Sequence, residues 1–297
     1  MPKLDLDEFP IVIMAHGYSC TIAGMTADKY AETFRDAGFA VMLYDHRNFG
    51  ISDGEPRHQI NRWTQARGYR DAIDLACSMP NIDATRIALW GDSMSGDEVL
   101  VVAALDKRVK AVVAQVPACG KEMPQKDSDG TLFRSLKDTF DNGNIEGTPN
   151  TTKGPMPVVS LDQETTPSLL PPKSAYHWFM EYGGRESSQW INLASHVKPD
   201  VPAPFTSVFC TPYIDAAILM MVAHDDEMPG ANPSVARHAF ELATEPKKLI
   251  EIDGGHFGIV HHPSPLFDLA SQEQIAFLEE HLIGPTSSIH GALLSLP

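Results

Sequence analysis

Cations are scarce in this 297-residue chain, and the scarcity narrows what it can hold. Its 23 Lys and Arg stand against 39 Asp and Glu, a formal charge of -16 at pH 7. A surface of that sign does not grip a phosphate backbone or an anionic bilayer, so neither a nucleic-acid partner nor a membrane partner is expected. Cysteine is scarce too: Cys20, Cys77, Cys119 and Cys210 lie far apart with no C-x-x-C spacing. That excludes a zinc ribbon or a disulfide framework and reads as mostly buried thiols in a reducing compartment. No apolar run approaches the roughly 20 residues of a membrane span. The opening Met1-Pro2-Lys3-Leu4-Asp5-Leu6-Asp7-Glu8 is acidic, unlike a signal peptide, and a cytoplasmic location is expected. The triplet Asn150-Thr151-Thr152 fits a glycosylation sequon, which would matter only in a secreted protein.

What is present is an alternation of buried strands and helices. Ile11 to Ala15 reads as a buried strand, and a helix over about Ala27 to Ala37 places Tyr30 and Phe34 on one face before Gly38 stops it. Phe39 to Tyr44 is a second buried strand, followed by a helix around Trp63 to Cys77, a strand at Arg86 to Trp90, a helix over Glu98 to Leu105 and a strand at Ala111 to Val116. Between about Lys121 and Phe209 the pattern dissolves into Pro, Gly, Thr and Ser with aromatic clusters. Regularity then returns with the strand Ala216 to Val222, the helix Ser234 to Thr244, the strand Lys248 to Ile252 and a last helix carrying Ile275, Leu278 and Leu282 on one face. Such alternation implies an α/β fold with a mostly parallel sheet flanked by helices. Residues 1–120 and 210–297 are expected to form the core, and 121–209 a lid or cap insertion, since so long an irregular stretch is usually functional.

The chemistry sits at Gly91-Asp92-Ser93-Met94-Ser95-Gly96, between a strand and a helix. Strand, tight turn and helix in that order make a nucleophile elbow, which projects Ser93 Oγ from the end of the sheet. An activated serine needs a base, and the base needs an acid. Later strands are followed by His224-Asp225-Asp226-Glu227 and by Gly254-Gly255-His256-Phe257-Gly258. Strand C-termini gather at one edge of a parallel sheet, so Ser93, Asp226 and His256 are expected to converge, with Asp225 second to Asp226 as the acid. The developing oxyanion needs donors, for which the backbone N–H groups of Met94 and of Tyr18, in His16-Gly17-Tyr18, are the candidates. A tight turn alone would account for Gly17 equally well. Tyr176, Trp178, Phe179 and Trp190 are candidates for substrate binding; packing within the lid accounts for them as readily.

With the His16-Gly17-Tyr18 turn, Tyr44-Asp45-His46-Arg47-Asn48-Phe49-Gly50-Ile51-Ser52-Asp53-Gly54, the elbow and Gly254-Gly255-His256-Phe257 together, the chain resembles the serine α/β-hydrolase superfamily. Within it, residues 10–120 and 174–283 resemble a branch related to X-Pro dipeptidyl-peptidase-like esterases and fungal polyketide transferases. The resemblance implies an α/β-hydrolase fold, the triad Ser93, Asp226 and His256, and oxyanion donors at Tyr18 and Met94. Ser95 in place of the usual elbow glycine is familiar in that branch. Asp97 departs from it, and a carboxylate there would partly offset the field offered to an oxyanion. The first strands usual in the superfamily are expected to be missing. That would leave Phe39 to Tyr44 near an open edge suited to covering or to pairing in a homodimer.

The expected activity is that of an esterase, lactonase or thioesterase acting through a Ser93 acyl-enzyme on a small-molecule ester, lactone or thioester, with a lipophilic secondary metabolite as the substrate class. Passing the acyl group to another alcohol, or to the substrate's own hydroxyl, would make it an acyltransferase or a lactone-forming cyclase. A silent small-ligand binder of the same fold is a further alternative. The Asp-nucleophile hydrolases of this fold are excluded by Ser93. His261-His262 beside Asp225-Asp226-Glu227 is the only metal-hydrolase pattern, and neighbouring histidines do not share a helix face as H-x-x-x-H does. No cofactor and no metal are expected.

Overall fold

The computed structural model describes residues 8–284. In chain order its main elements are β1 (Phe9–Ala15), α1 (Ala27–Asp36), β2 (Ala40–Leu43), β3 (Gln59–Ile60), α2 (Arg62–Ser78), β4 (Ile82–Asp92), α3 (Ser93–Leu105), β5 (Val109–Gln115) and α4 (Thr131–Asn142). There follow β6 (Thr152–Met156), α5 (Lys173–Trp178), β7 (Ala194–Val197), β8 (Ala217–Ala223), α6 (Pro233–Leu242), β9 (Lys247–Ile252) and α7 (Pro265–Leu278).

Six strands form a parallel sheet in the order β2-β1-β4-β5-β8-β9, with Val12 level with Val41 on one side and Ala88 on the other. Both faces are covered, so the strands are apolar throughout and successive residues feed opposite cores. Ile11, Ile13 and Ala15 pack with Trp63 and Tyr69 of α2, Val99 and Val102 of α3 and Val235 and Ala239 of α6. Val12 and Met14 pack with Tyr30 and Phe34 of α1 and Phe267 and Phe277 of α7. The buried Tyr69 hydroxyl fastens the centre, 2.9 Å from the Trp90 carbonyl and accepting the Ala15 N–H at 3.1 Å. Caps begin the helices where the sequence changes period: Asn61 Oδ1 accepts the Trp63 and Thr64 N–H groups, and Ser264 Oγ accepts that of Phe267.

β2 lies at one edge of the sheet. The elbow helix starts earlier than its apolar run suggests, at Ser93, because Ser93 itself opens the first turn. Within 121–209, where no period was expected, α4 buries Leu136 and Phe140 in the α2–α3 core, and β6 and β7 join β3 in a small three-stranded sheet of order β3-β7-β6. Three of the four cysteines are buried and Cys77 is half-buried, and all four are free thiols. Among the described residues no helix is long and apolar enough to cross a membrane.

Candidate active site

The turn from β4 into α3 leaves no room for a side chain at Gly91. A Cβ at Gly91 would stand 2.3 Å from the Ser95 carbonyl oxygen, so the strand and helix meet only over a glycine. Ser93 takes the left-handed conformation, φ 54°, which a non-glycine residue adopts at a cost and which aims its side chain out of the turn. Loops after β8 and β9 meet it at the same sheet edge. Ser93 Oγ lies 2.9 Å from His256 Nε2, and His256 Nδ1 lies 2.7 Å from Asp226 Oδ2. Asp226 Oδ1 accepts the Met228 N–H at 3.0 Å, which fixes the carboxylate plane. Asp225 is exposed, with its own N–H bonded to the Gly254 carbonyl.

The loop after β1 is latched to this turn. Asp92 Oδ1 lies 2.8 Å from His16 Nδ1 and accepts the Gly17 N–H at 2.9 Å. Burial opposes charge on His16, but the Asp92 carboxylate and hydrogen bonds to Asp92 and to the Met25 carbonyl hold its pKa above the ordinary value. The charged form of His16 is thus favoured, beside Asp92 and behind the nucleophile. Two residues on, the Tyr18 N–H has no acceptor among the described residues, and Met94 follows Ser93 in the first turn of α3. These are the two N–H groups the sequence singles out.

Ser93, His256, Tyr18 and Met94 open into a cavity of about 1020 Å³. Trp178 and Phe179 line it together with Leu169, Leu170, Phe257 and Met228. Tyr176 and Trp190 are not among its lining residues. Both are partly buried against the apolar cluster that contains Trp178 and Phe179. Trp190 lies flat on Gly183, where a Cβ would stand 2.6 Å from its ring, and donates Nε1–H to Ser19 Oγ at 3.3 Å. Trp178 is held from behind by its Nε1–H on the Val260 carbonyl at 3.0 Å and stacks on Phe257 with ring centroids 5.2 Å apart.

Three further groups surround the triad, and the sequence reading gave none of them the role the structure shows. Glu227 Oε2 accepts the His256 N–H at 3.0 Å, while Oε1 takes the Ser174 hydroxyl from α5. Gly255 makes that approach possible, since a Cβ there would meet Glu227 Oε2 at 2.5 Å. Partial burial works against the Glu227 charge, yet the Ser174 hydroxyl and the His256 N–H together bring its pKa below the ordinary carboxylate value. Asp97, feared as an uncompensated charge, is fully buried against the Arg62 guanidinium and accepts the Ser207 N–H at 3.0 Å. Ser95 Oγ lies 2.9 Å from both the His16 carbonyl and His46 Nε2, and 3.0 Å from Glu98 Oε2. Burial pushes the Glu98 carboxyl well up and His46 down to about 3, so the neutral form of each is favoured.

The model of a family described as Hydrolase_4, serine aminopeptidase S33, matches residues 8–157, from the start of β1 through the elbow into β6. The chain belongs to this family. Its members share the α/β-hydrolase fold that the parallel sheet and elbow display here. The S33-family chain is 39% identical over 36% of its length to the quorum-quenching protein AidA of Acinetobacter baumannii, covering 35% of that protein. It is 40% identical over 37% of its length to the thiohydrolase apmlB of Arthrinium phaeospermum, again covering 35%. Those matches span about a third of each relative. Across 92% of the chain and 90% of the relative it is 24% identical to the polyketide transferase af380 of Aspergillus fumigatus. In structure it resembles the alpha/beta hydrolase GrgF from Penicillium sp. sh18, with TM-score 0.69 and 24% identity over 93% of this chain and 91% of that one.

Proposed function

We propose that this chain is a serine hydrolase that forms an acyl-enzyme at Ser93 on a carboxylic ester, lactone or thioester. The observation that carries the reading is the unbroken line of two hydrogen bonds, 2.9 Å from Ser93 Oγ to His256 Nε2 and 2.7 Å from His256 Nδ1 to Asp226 Oδ2. His256 takes the Ser93 proton as Oγ attacks the carbonyl carbon, and Asp226 stabilises the imidazolium that forms. The N–H groups of Tyr18 and Met94 receive the oxyanion. Collapse expels the alcohol or thiol, which takes the proton from His256. Water then enters by the same route in reverse and releases the acid. Residues 121–209 act as a cap whose Trp178 and Phe179 favour a lipophilic acyl chain, in keeping with relatives named thiohydrolase and quorum-quenching protein.

A second reading, transfer of the acyl group to an alcohol or to the substrate's own hydroxyl, is favoured by the cavity's apolar side chains and by the name of the relative aligned along nearly the whole chain. Excluding water from the acyl-enzyme is what would divert it. The test of the shared first step is intact-protein mass spectrometry after a fluorophosphonate. A single adduct on the wild type, absent from Ser93→Ala and His256→Ala, is expected; an adduct that persists on Ser93→Ala rules the nucleophile out.

A further inference from the structure

One wall of the cavity has a charge that runs against the rest of the molecule. It is built on the small sheet β3-β7-β6, where Lys153 of β6 stands directly across from His196 of β7. Cross-strand partners share a face, and Lys198, two residues beyond His196, returns to it. Lys153, His196 and Lys198 all line the cavity, and His196 Nδ1 lies 3.0 Å from the hydroxyl of Tyr18, the residue whose N–H is proposed to receive the oxyanion. Lys121, from the chain after β5, lines it as well.

These lysines are not accounted for by ion pairs. Among the described residues the lysines that pair with carboxylates are Lys29, Lys107, Lys137 and Lys248, all away from the cavity. The carboxylates lining the cavity are Asp92, which is paired with His16, and Asp200. Arg62 lines it too, but is paired with Asp97. Three unpaired cations thus face one carboxylate, in a chain whose formal charge is -16. His196 registers the field: burial first, then Lys198, Arg62 and Lys153, bring its pKa down to about 4, so it stays neutral beside them.

We propose that this wall is an anion subsite, and that the acyl donor carries an oxyacid group, carboxylate or phosphate, away from the carbonyl that Ser93 attacks. The inference rests on the Ser93 acyl-enzyme. A lipophilic segment lies along Trp178 and Phe179 while the charged end meets Lys153 and Lys198. Thr152, which also lines the cavity, offers a hydroxyl donor to the same group. An anion approaching from solvent is otherwise repelled by the acidic surface, so the subsite supplies selectivity as well as affinity.

Two matched substrate pairs test this: p-nitrophenyl butyrate against mono-p-nitrophenyl glutarate, and S-butyryl pantetheine against its 4′-phosphate. At about 10 mM ionic strength the charged member of at least one pair should have the higher kcat/KM, by about tenfold. The preference should shrink towards unity near 1 M salt, where the screening length is only about 3 Å. The double variant Lys153→Gln/Lys198→Gln should lower the charged-to-neutral ratio by about tenfold, the scale of two partly exposed ion pairs. A preference in the ester pair puts the anion on the acyl side, and one in the thioester pair puts it on the leaving group. No preference in either pair, or one that the double variant leaves intact, overturns the subsite.

Titration calorimetry on Ser93→Ala with pantetheine 4′-phosphate and with monomethyl glutarate reads the wall without turnover. Heat from either at low salt, lost in the lysine variant, supports it; heat from neither overturns it. A fluorophosphonate adduct on Ser93 with no charge preference defeats the subsite alone, whereas no adduct with binding intact defeats the acyl-enzyme alone.

Discussion

The buried knot of Ser95, His46 and Glu98 behind the nucleophile makes a prediction about stability whose sign and limiting slope are both fixed. Glu98 is fully buried, its Oε2 3.0 Å from Ser95 Oγ and 3.6 Å from His46 Nε2, and its Oε1 has no partner among the described residues. Burial raises its pKa well above the ordinary 4.5, with the Arg62 guanidinium pulling the other way less strongly. The folded state therefore holds a proton on Glu98 that the unfolded chain releases at higher pH. The stability Glu98 contributes is full below about pH 4.5 and is lost as the pH rises through its folded value. Over that window the wild type loses about 1.4 kcal/mol for each pH unit on account of this group alone.

Glu98→Gln keeps the shape and an N–H donor but binds no proton in either state. His46 titrates in both proteins, so its opposite slope cancels in the difference. Urea unfolding at a series of pH values above about 4.5 should then show the Gln variant gaining on the wild type by up to about 1.4 kcal/mol per pH unit until the folded pKa of Glu98 is passed, with little change in m-value. A difference independent of pH refutes the raised pKa. A Gln variant destabilised by about 3–5 kcal/mol at neutral pH would mean instead that Glu98 and His46 form a charged pair broken by the substitution.

Two other substitutions separate structure from chemistry around the same helix. Asp97→Asn leaves Arg62 half-buried without its carboxylate and should cost about 3–5 kcal/mol in urea unfolding, the scale of a broken buried ion pair; a loss below about 1 kcal/mol would show that the pair is solvated. Glu227→Gln weakens the anchor on the His256 backbone and should lower kcat/KM by about tenfold to a hundredfold with the fluorophosphonate site still labelled. Because the Glu227 pKa is lowered, the stability it contributes is present above about pH 4.5 and is lost as the pH falls through the folded value, a slope that urea unfolding of the Gln variant should lack.

Much of the site was legible because its signals are local. A small-residue hexapeptide between an apolar strand and an apolar helix points to an elbow once its partners follow downstream, and a glycine-flanked histidine after the last strand needs only parallel topology to reach it. The acid was harder to read. Asp225 and Asp226 are adjacent and chemically identical, and only the loop conformation that bonds the Asp225 N–H to the Gly254 carbonyl decides which carboxylate turns inward. The aromatics divided for a similar reason: Trp178 and Phe179, at the end of α5, line the cavity, while Tyr176 on the same short helix and Trp190 beyond it are not among its lining residues and are partly buried against the same apolar cluster. Helix α4 did carry a signal in Leu132, Phe133, Leu136 and Phe140, masked by the Gly and Pro on either side. Strands β3 and β7 carried none. Two and four residues long, they are held by pairing with each other and with β6 rather than by alternation of their own.

The elbow helix also carries more negative charge than an oxyanion site tolerates on its face: Asp92 at its cap, and Asp97 and Glu98 within its first two turns. Each bare carboxylate would oppose the partial positive charge that the helix N-terminus offers to a developing oxyanion. The fold neutralises each by a different device. Asp92 is paired with His16, whose charged form that pairing favours; Asp97 is paired with Arg62; burial favours the protonated form of Glu98. Each device also fastens an element to the helix: His16 brings the loop carrying the Tyr18 N–H, Arg62 brings the start of α2, and Ser95 and Glu98 bring the loop of His46. Removing a carboxylate from this helix would therefore relieve no field at the oxyanion. It would instead release the element that the carboxylate holds, which is why Asp97, read in the sequence as a burden on the rate, acts through the stability of the helix that carries Ser93.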